Sequence, residues 1–210
     1  MIISIKYKPE QVVEWEPYFN PVKTVEEGSY LFEHGVIKRL KHQIKPDEWT
    51  GFISHKFPEK TLYFRNKVEY ILSKERGGIV SFCQQIPNYL KWTETQHPGF
   101  LNLFNLICKD LDISTREPSV SIYGSFWFAK GHLYLKYIDQ CLIPAINLLE
   151  TKYKDLAWQD SQYQGLNKEE LSKYTGLSYY TMHTFILERL VGNWANTNKI
   201  HITNYGQTFK

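Results

Sequence analysis

The stretch from Val120 to Ala129, running into an apolar helical pattern from His132 to about Leu149, constrains this chain more than any other. Its first half is β-branched and aromatic and is broken at Gly124, which reads as a buried strand with a kink where something approaches the backbone closely. Its second half sets Leu133, Tyr134, Tyr137, Ile138, Cys141, Leu142, Ala145, Ile146 and Leu149 on one helical face. A strand feeding such a helix is the unit of an α/β domain, and α/β domains bind ligands just beyond strand ends. Most of these residues are core. Ser125 and Lys130 are the exceptions, polar groups read at the strand's end.

A chain of 210 residues is one domain, read here as 1–210 with a C-terminal helical segment, 167–198, docked on it. Aromatic residues make up 16% of it, enough either to fill a core or to build stacking sites. The net charge of +3 argues for no polyanionic partner, and nucleic acid is disfavoured. Cys83, Cys108 and Cys141 lie in apolar surroundings without close pairing, as buried thiols in a reducing compartment do. No apolar run is long enough to cross a bilayer, and residues 1–7 are too short and polar for a signal peptide. The expectation is a cytoplasmic protein, with association at the inner face of the cell membrane left open.

Strands are expected near 2–7, 51–55, 79–83 and 120–129, and helices near 61–74, 99–109, 132–149 and 181–197. Residues 8–29, with three prolines, read as loop. Tyr30 to Lys41 admits a helix with His34, Lys38 and Arg39 on its wet side. Ser54, His55 and Lys56 follow a buried strand as it emerges, where an ordinary turn and a ligand contact are equally good readings. Pro87 to Gln96 reads as an aromatic, polar loop, and Lys152 to Gly165 as another loop. Asp110 and Asp112 form an Asp-x-Asp pair that could hold a divalent cation; at the end of a helix such a pair is more often a solvated turn. Residues 167–190, a short helix, Gly176 and a helix starting near Ser178, resemble a helix-turn-helix. Met182, Phe185, Ile186, Leu190 and Trp194 instead form a stripe suited to docking on a core.

Four motifs, in order, carry a wider resemblance: Trp49–Phe57 with Lys60 and Thr61, Gln96–Gly99, Tyr123–Lys130 with its helix to Pro144, and His183–Leu190. Together they resemble the glycosyltransferase-like proteins of bacterial capsule and O-antigen loci, which are similar to nucleotide-sugar transferases of the GT-A type. The resemblance spans about two-thirds of the chain. It implies a single GT-A-like α/β domain with a mixed central sheet flanked by helices. It also implies transfer from a nucleotide-sugar donor to a growing glycan or lipid-linked acceptor, with Mn or Mg as the cofactor where one is used. Two departures stand out. Gln84 and Gln85 follow the third strand in place of an acidic metal motif, and the N-terminus lacks a glycine-rich nucleotide loop.

The chemistry of such a transfer names its own candidates. A leaving diphosphate develops negative charge, so cations or a metal must meet it, and Lys56, Lys60, Lys130 and Arg189 are available. An acceptor hydroxyl needs positioning and, in an inverting reaction, a base, for which His55, His183 and Glu188 are available. Ser54, Tyr123 and Ser125 are further substrate-contact candidates, and Asp110 and Asp112 are the metal candidates. Glu188 and Arg189 are adjacent and diverge, so at most one faces the cleft and the other belongs to an ion pair. Two alternatives remain: a DNA-binding regulator using 167–190, and a non-catalytic glycan-binding relative.

Overall fold

Strand β1, Ile2–Lys6, begins the sheet with Ile3, Ser4 and Ile5 all buried, as expected of a parallel strand covered on both faces. The computed structural model describes residues 1–6, 22–23, 30–63, 65–163, 165 and 167–206. The expected loop at 8–29 lies outside these residues except for Val22–Lys23, which form β2. The remaining strands are β3, Trp49–Ser54; β4, Ile79–Ser81; β5, Trp127–Lys130; and β6, Ile202–Asn204. They make an open mixed sheet in the order β2-β1-β3-β5-β4-β6.

Direction within this sheet decides where a site can lie. β1 is parallel to β2 and β3, β5 is antiparallel to β3 and β4, and β4 is parallel to β6. The carboxyl ends of every strand but β5 therefore share one edge, and β5 enters from that edge. The chain passes from β1 to β2 on one side and to β3 on the other. That reversal creates a topological switch point between β1 and β3, the place where open α/β sheets bind ligands.

Helices cover both faces. They are α1, Glu33–Leu40; α2, Phe57–Thr61; α3, Arg65–Lys74; α4, Tyr89–Gln96; α5, Phe100–Asp110; α6, Gly131–Tyr137; α7, Ile143–Glu150; α8, Lys154–Ala157; α9, Lys168–Thr175; and α10, Met182–Thr197. A wide turn at Ile138–Leu142 joins α6 to α7. Pro144 explains it, because without an N–H it cannot continue the regular ladder, and the N–H of Ile143 reaches back five residues to Ile138. No helix among the described residues is long and apolar enough to cross a membrane.

Three sequence expectations change here. The strand expected over 120–129 is confined to 127–130, and residues 120–126 approach it as a connection. The aromatic loop expected at 87–96 is α4 from Tyr89 onward, and the loop expected at 152–165 likewise contains a helix, α8. In addition, α10 is buried from Met182 to Ala195 at every position but Glu188. Seven of its large apolar side chains lie in the core, at about 2 kcal/mol each. Lifting the helix to read a DNA groove would cost about as much as a whole domain's stability, so α10 is a core element and not a reading helix.

Candidate functional site

The site is built on the shared carboxyl edge. At its centre β3 leaves the sheet beside β1: Ser54 pairs with Ile5, and the His55 N–H donates to the Ile5 carbonyl at 3.1 Å. Ser54 is buried, and its Oγ accepts the Lys56 N–H at 3.3 Å, which turns the chain sharply. His55 is held below the ordinary histidine range by burial first and then by Lys56. Lys56 is exposed, as is Lys60 on α2. The Lys60 ammonium stands 5.7 Å from the centre of the Phe126 ring, so β3's exit and β5's entrance form one continuous edge.

The entrance to β5 is fastened to the exit of β4 by side chains. Gln85 donates to the carbonyls of Cys83 and Ser121 and accepts the Ser121 N–H at 2.9 Å. The Tyr123 hydroxyl donates to the Gln84 carbonyl at 3.0 Å, and the Cys83 thiol donates to the Tyr123 carbonyl at 3.1 Å. Gln84 and Gln85 thus form a structural clamp at the place where the resemblance would put an acidic metal motif. Gly124 then takes φ +60, in the left-handed region, and turns the backbone toward Ser125.

Ser125 lines a small pocket with His34 of α1 and with Tyr137, Leu187, Glu188 and Val191. Its accessible space of about 10 Å³ holds roughly one water molecule. His34 was not among the sequence candidates. It is buried, its Nδ1 makes no hydrogen bond among the described residues, and burial pushes its imidazolium down to about 4. The sequence puts His34 on the wet side with Lys38 and Arg39, because nothing in the local pattern separates them, but the packing of α1 against β3 and α10 turns it inward.

Glu188 and Arg189 divide as their adjacency requires. Arg189 is buried, donating from Nε to Thr93 at 2.9 Å and from a terminal nitrogen to the Phe185 carbonyl at 3.1 Å. That nitrogen also donates to Glu188 Oε2 at 2.9 Å. Glu188 keeps 19% of its side chain exposed, at the pocket with Ser125. Arg189 is therefore a positioning group behind Glu188, and it is too enclosed to meet a substrate.

Four sequence candidates lie elsewhere. Lys130 is at the far end of β5, because that strand runs against its neighbours; it sits over the Trp49 ring at 4.9 Å, roughly 15 Å along the strand from Ser125. His183 is fully buried about 140° around α10 from Glu188. It faces Glu150 at 3.0 Å and Thr181 at 3.1 Å, between the rings of Tyr30 and Trp158, and burial holds it well below the ordinary range. Asp110 belongs to Lys152, 2.6 Å away, and to the Tyr153 hydroxyl at 3.0 Å. Asp112 is an exposed turn residue with φ +53. That turn is tied to the far end of α10 by the Ser114 N–H bond to Thr197, about 13 Å along the helix from Glu188. Asp110 and Asp112 do not fit a divalent cation, and no metal-ligating cluster of three groups exists among the described residues.

The edge thus collects Ser54, His55 and Lys56 from the exit of β3 with Lys60 of α2, and Tyr123 and Ser125 from the approach to β5, where His34 of α1 and Glu188 of α10 share the Ser125 pocket. No protein-family model, curated protein or solved structure matches this chain.

Proposed function

We propose that the protein is a glycosyltransferase with a GT-A-like domain, moving a sugar from a nucleoside-diphosphate sugar to a growing surface glycan such as capsule or O-antigen. One observation carries this reading: Ser54, His55 and Lys56 leave β3 at the switch point beside β1, Lys60 stands over the Phe126 ring at the neighbouring entrance to β5, and Ser125, the residue before Phe126, lines the pocket that Glu188 also lines. Lys56 and Lys60 are the exposed cations facing the position of the diphosphate. Ser54 and His55 contact the donor at the switch point.

The step balances without further reagents. The acceptor hydroxyl oxygen bonds to the anomeric carbon, and the bond from that carbon to the diphosphate oxygen breaks. The diphosphate leaves with the electron pair, its charge met by the two lysines. Glu188 receives the hydroxyl proton, and its bond from Arg189 fixes the carboxylate's orientation. The pocket's small volume means that the donor lies in the open crevice along the edge and not inside a closed cavity.

Thermal-shift and ligand-observed NMR titrations with UDP- and GDP-sugars, with and without manganese, test the proposal. It predicts stabilisation by at least one nucleotide sugar and weakening of that binding when Lys56 and Lys60 are both changed to alanine. A folded sample that binds no nucleotide would overturn it.

A further inference from the structure

Beside the edge lies an aromatic cluster with one open face. Tyr163 is 45% exposed, and its ring centre lies 5.1 Å from Tyr180, 5.4 Å from Phe185 and 5.7 Å from His97. The rings behind it are buried, with His97 stacked on Phe185 at 3.7 Å and held by the Ser161 carbonyl at 3.1 Å. Tyr163 is therefore a half-exposed ring whose inner side meets three buried rings in edge-to-face contacts.

A lone exposed tyrosine on a surface requires no explanation. Two features set this one apart. The first is Glu188, one turn beyond Phe185 and the only residue of α10 between Met182 and Ala195 that is not buried. Glu188 follows Phe185 by three residues on α10, and the Phe185 ring lies 5.4 Å from Tyr163; burial chiefly, and then the Glu188 carboxylate, raise the phenol above its ordinary value against the pull of Arg189. The second is continuity with the edge. Phe32 stacks on Tyr180 at 5.6 Å, with its backbone at φ +47, and two residues later His34 lines the pocket of Ser125 and Glu188.

A flat ring beside a carboxylate matches a pyranose. The sugar presents an apolar C–H face to the aromatic ring and hydroxyl donors at its rim to the acid. We infer that Tyr163 is the stacking platform for a pyranose of the acceptor glycan, held with one hydroxyl toward Glu188. This inference rests on the transferase reading for the word acceptor, though the sugar site itself does not depend on it.

Saturation-transfer NMR with a panel of methyl pyranosides, run on the full chain, tests it. At least one glycoside should bind. Tyr163→Ala should weaken it about tenfold, whereas Tyr163→Phe, which keeps the ring, should stay within about twofold. Glu188→Gln should weaken binding severalfold. Nucleotide-sugar titration of Tyr163→Ala, run in parallel, should match wild type, which also shows that the variant is folded. Absence of pyranoside binding by the wild type, or equal binding by Tyr163→Ala, overturns the platform. Pyranoside binding without any nucleotide binding removes the transferase reading and leaves the platform standing.

Discussion

His97 offers the sharpest test of how the region behind the platform is held. It is 4% exposed, stacked on Phe185 and bonded through Nδ1 to the Ser161 carbonyl. Burial pushes its imidazolium down to about 4 from 6.5, the Ser161 bond opposes that shift, and the Arg189 guanidinium adds to it. The folded protein therefore keeps His97 neutral at pH values where the unfolded chain is already protonated. This contribution to stability is complete above about pH 6.5 and is lost as the pH falls toward about 4. Comparing the two titrations puts the loss at about 2 kcal/mol by pH 5. His97→Phe keeps the ring stack, removes the titration, and gives up one buried hydrogen bond at about 1–2 kcal/mol. The variant should be the less stable protein near neutrality and the more stable one in acid, with the two curves crossing between about pH 5 and 6. Urea unfolding of both proteins across that range reads the crossing directly. A constant difference at every pH would refute the claim that His97 is held neutral in the fold.

Other perturbations have simpler signs. A Cβ at Gly131 would lie 1.9 Å from the Lys45 carbonyl oxygen, and the Gly131 N–H is already fixed to Glu48, so Gly131→Ala should cost about 3 kcal/mol or more by calorimetry. Asn193 is buried and donates to the carbonyls of Ser114 and Arg116 at 2.6 and 2.9 Å; Asn193→Ala should lose about 2–3 kcal/mol, lowering the melting temperature by roughly 5–10 °C. Lys130→Ala, at the opposite edge, should leave nucleotide-sugar affinity unchanged in titrations where Lys56→Ala weakens it several-fold.

The buried strands were legible because burial on both faces writes itself as continuous apolar sequence, as in Ile2–Ile5, Phe52–Ile53 and Ile79–Cys83. Helix α4 was not, because its start is fixed from a distance. The Glu117 carboxylate accepts the Leu90 N–H at 3.2 and 3.3 Å, from 27 residues along the chain. The start of α5, by contrast, is held by the nearby Glu94, which accepts from Gly99 and Leu101, and its broad apolar face made it legible. Capping by a residue far along the chain leaves no local signature. Tyr163 was hidden for a related reason: in a polar loop it resembles any surface tyrosine until three rings are brought behind it.

Strand direction accounts for the one reversal within the site. Ser125 and Lys130 flank the apolar run Phe126–Ala129, and its composition is the same whichever way the strand runs. The pairing of Thr50 with Ala129 and of Val80 with Phe128 settles the direction, and it puts Ser125, not Lys130, at the edge where β1, β3 and β4 end. By contrast, the separation of Glu188 from Arg189 needed only the 100° step between neighbours on a helix. Once α10 is buried, one of the two must be enclosed, and an enclosed guanidinium requires partners. Arg189 finds them in Thr93, Phe185 and Glu188 itself. That leaves Glu188 as the one side chain of α10 between Met182 and Ala195 that is not buried. It also makes Arg189 the means by which the core fixes that carboxylate's direction.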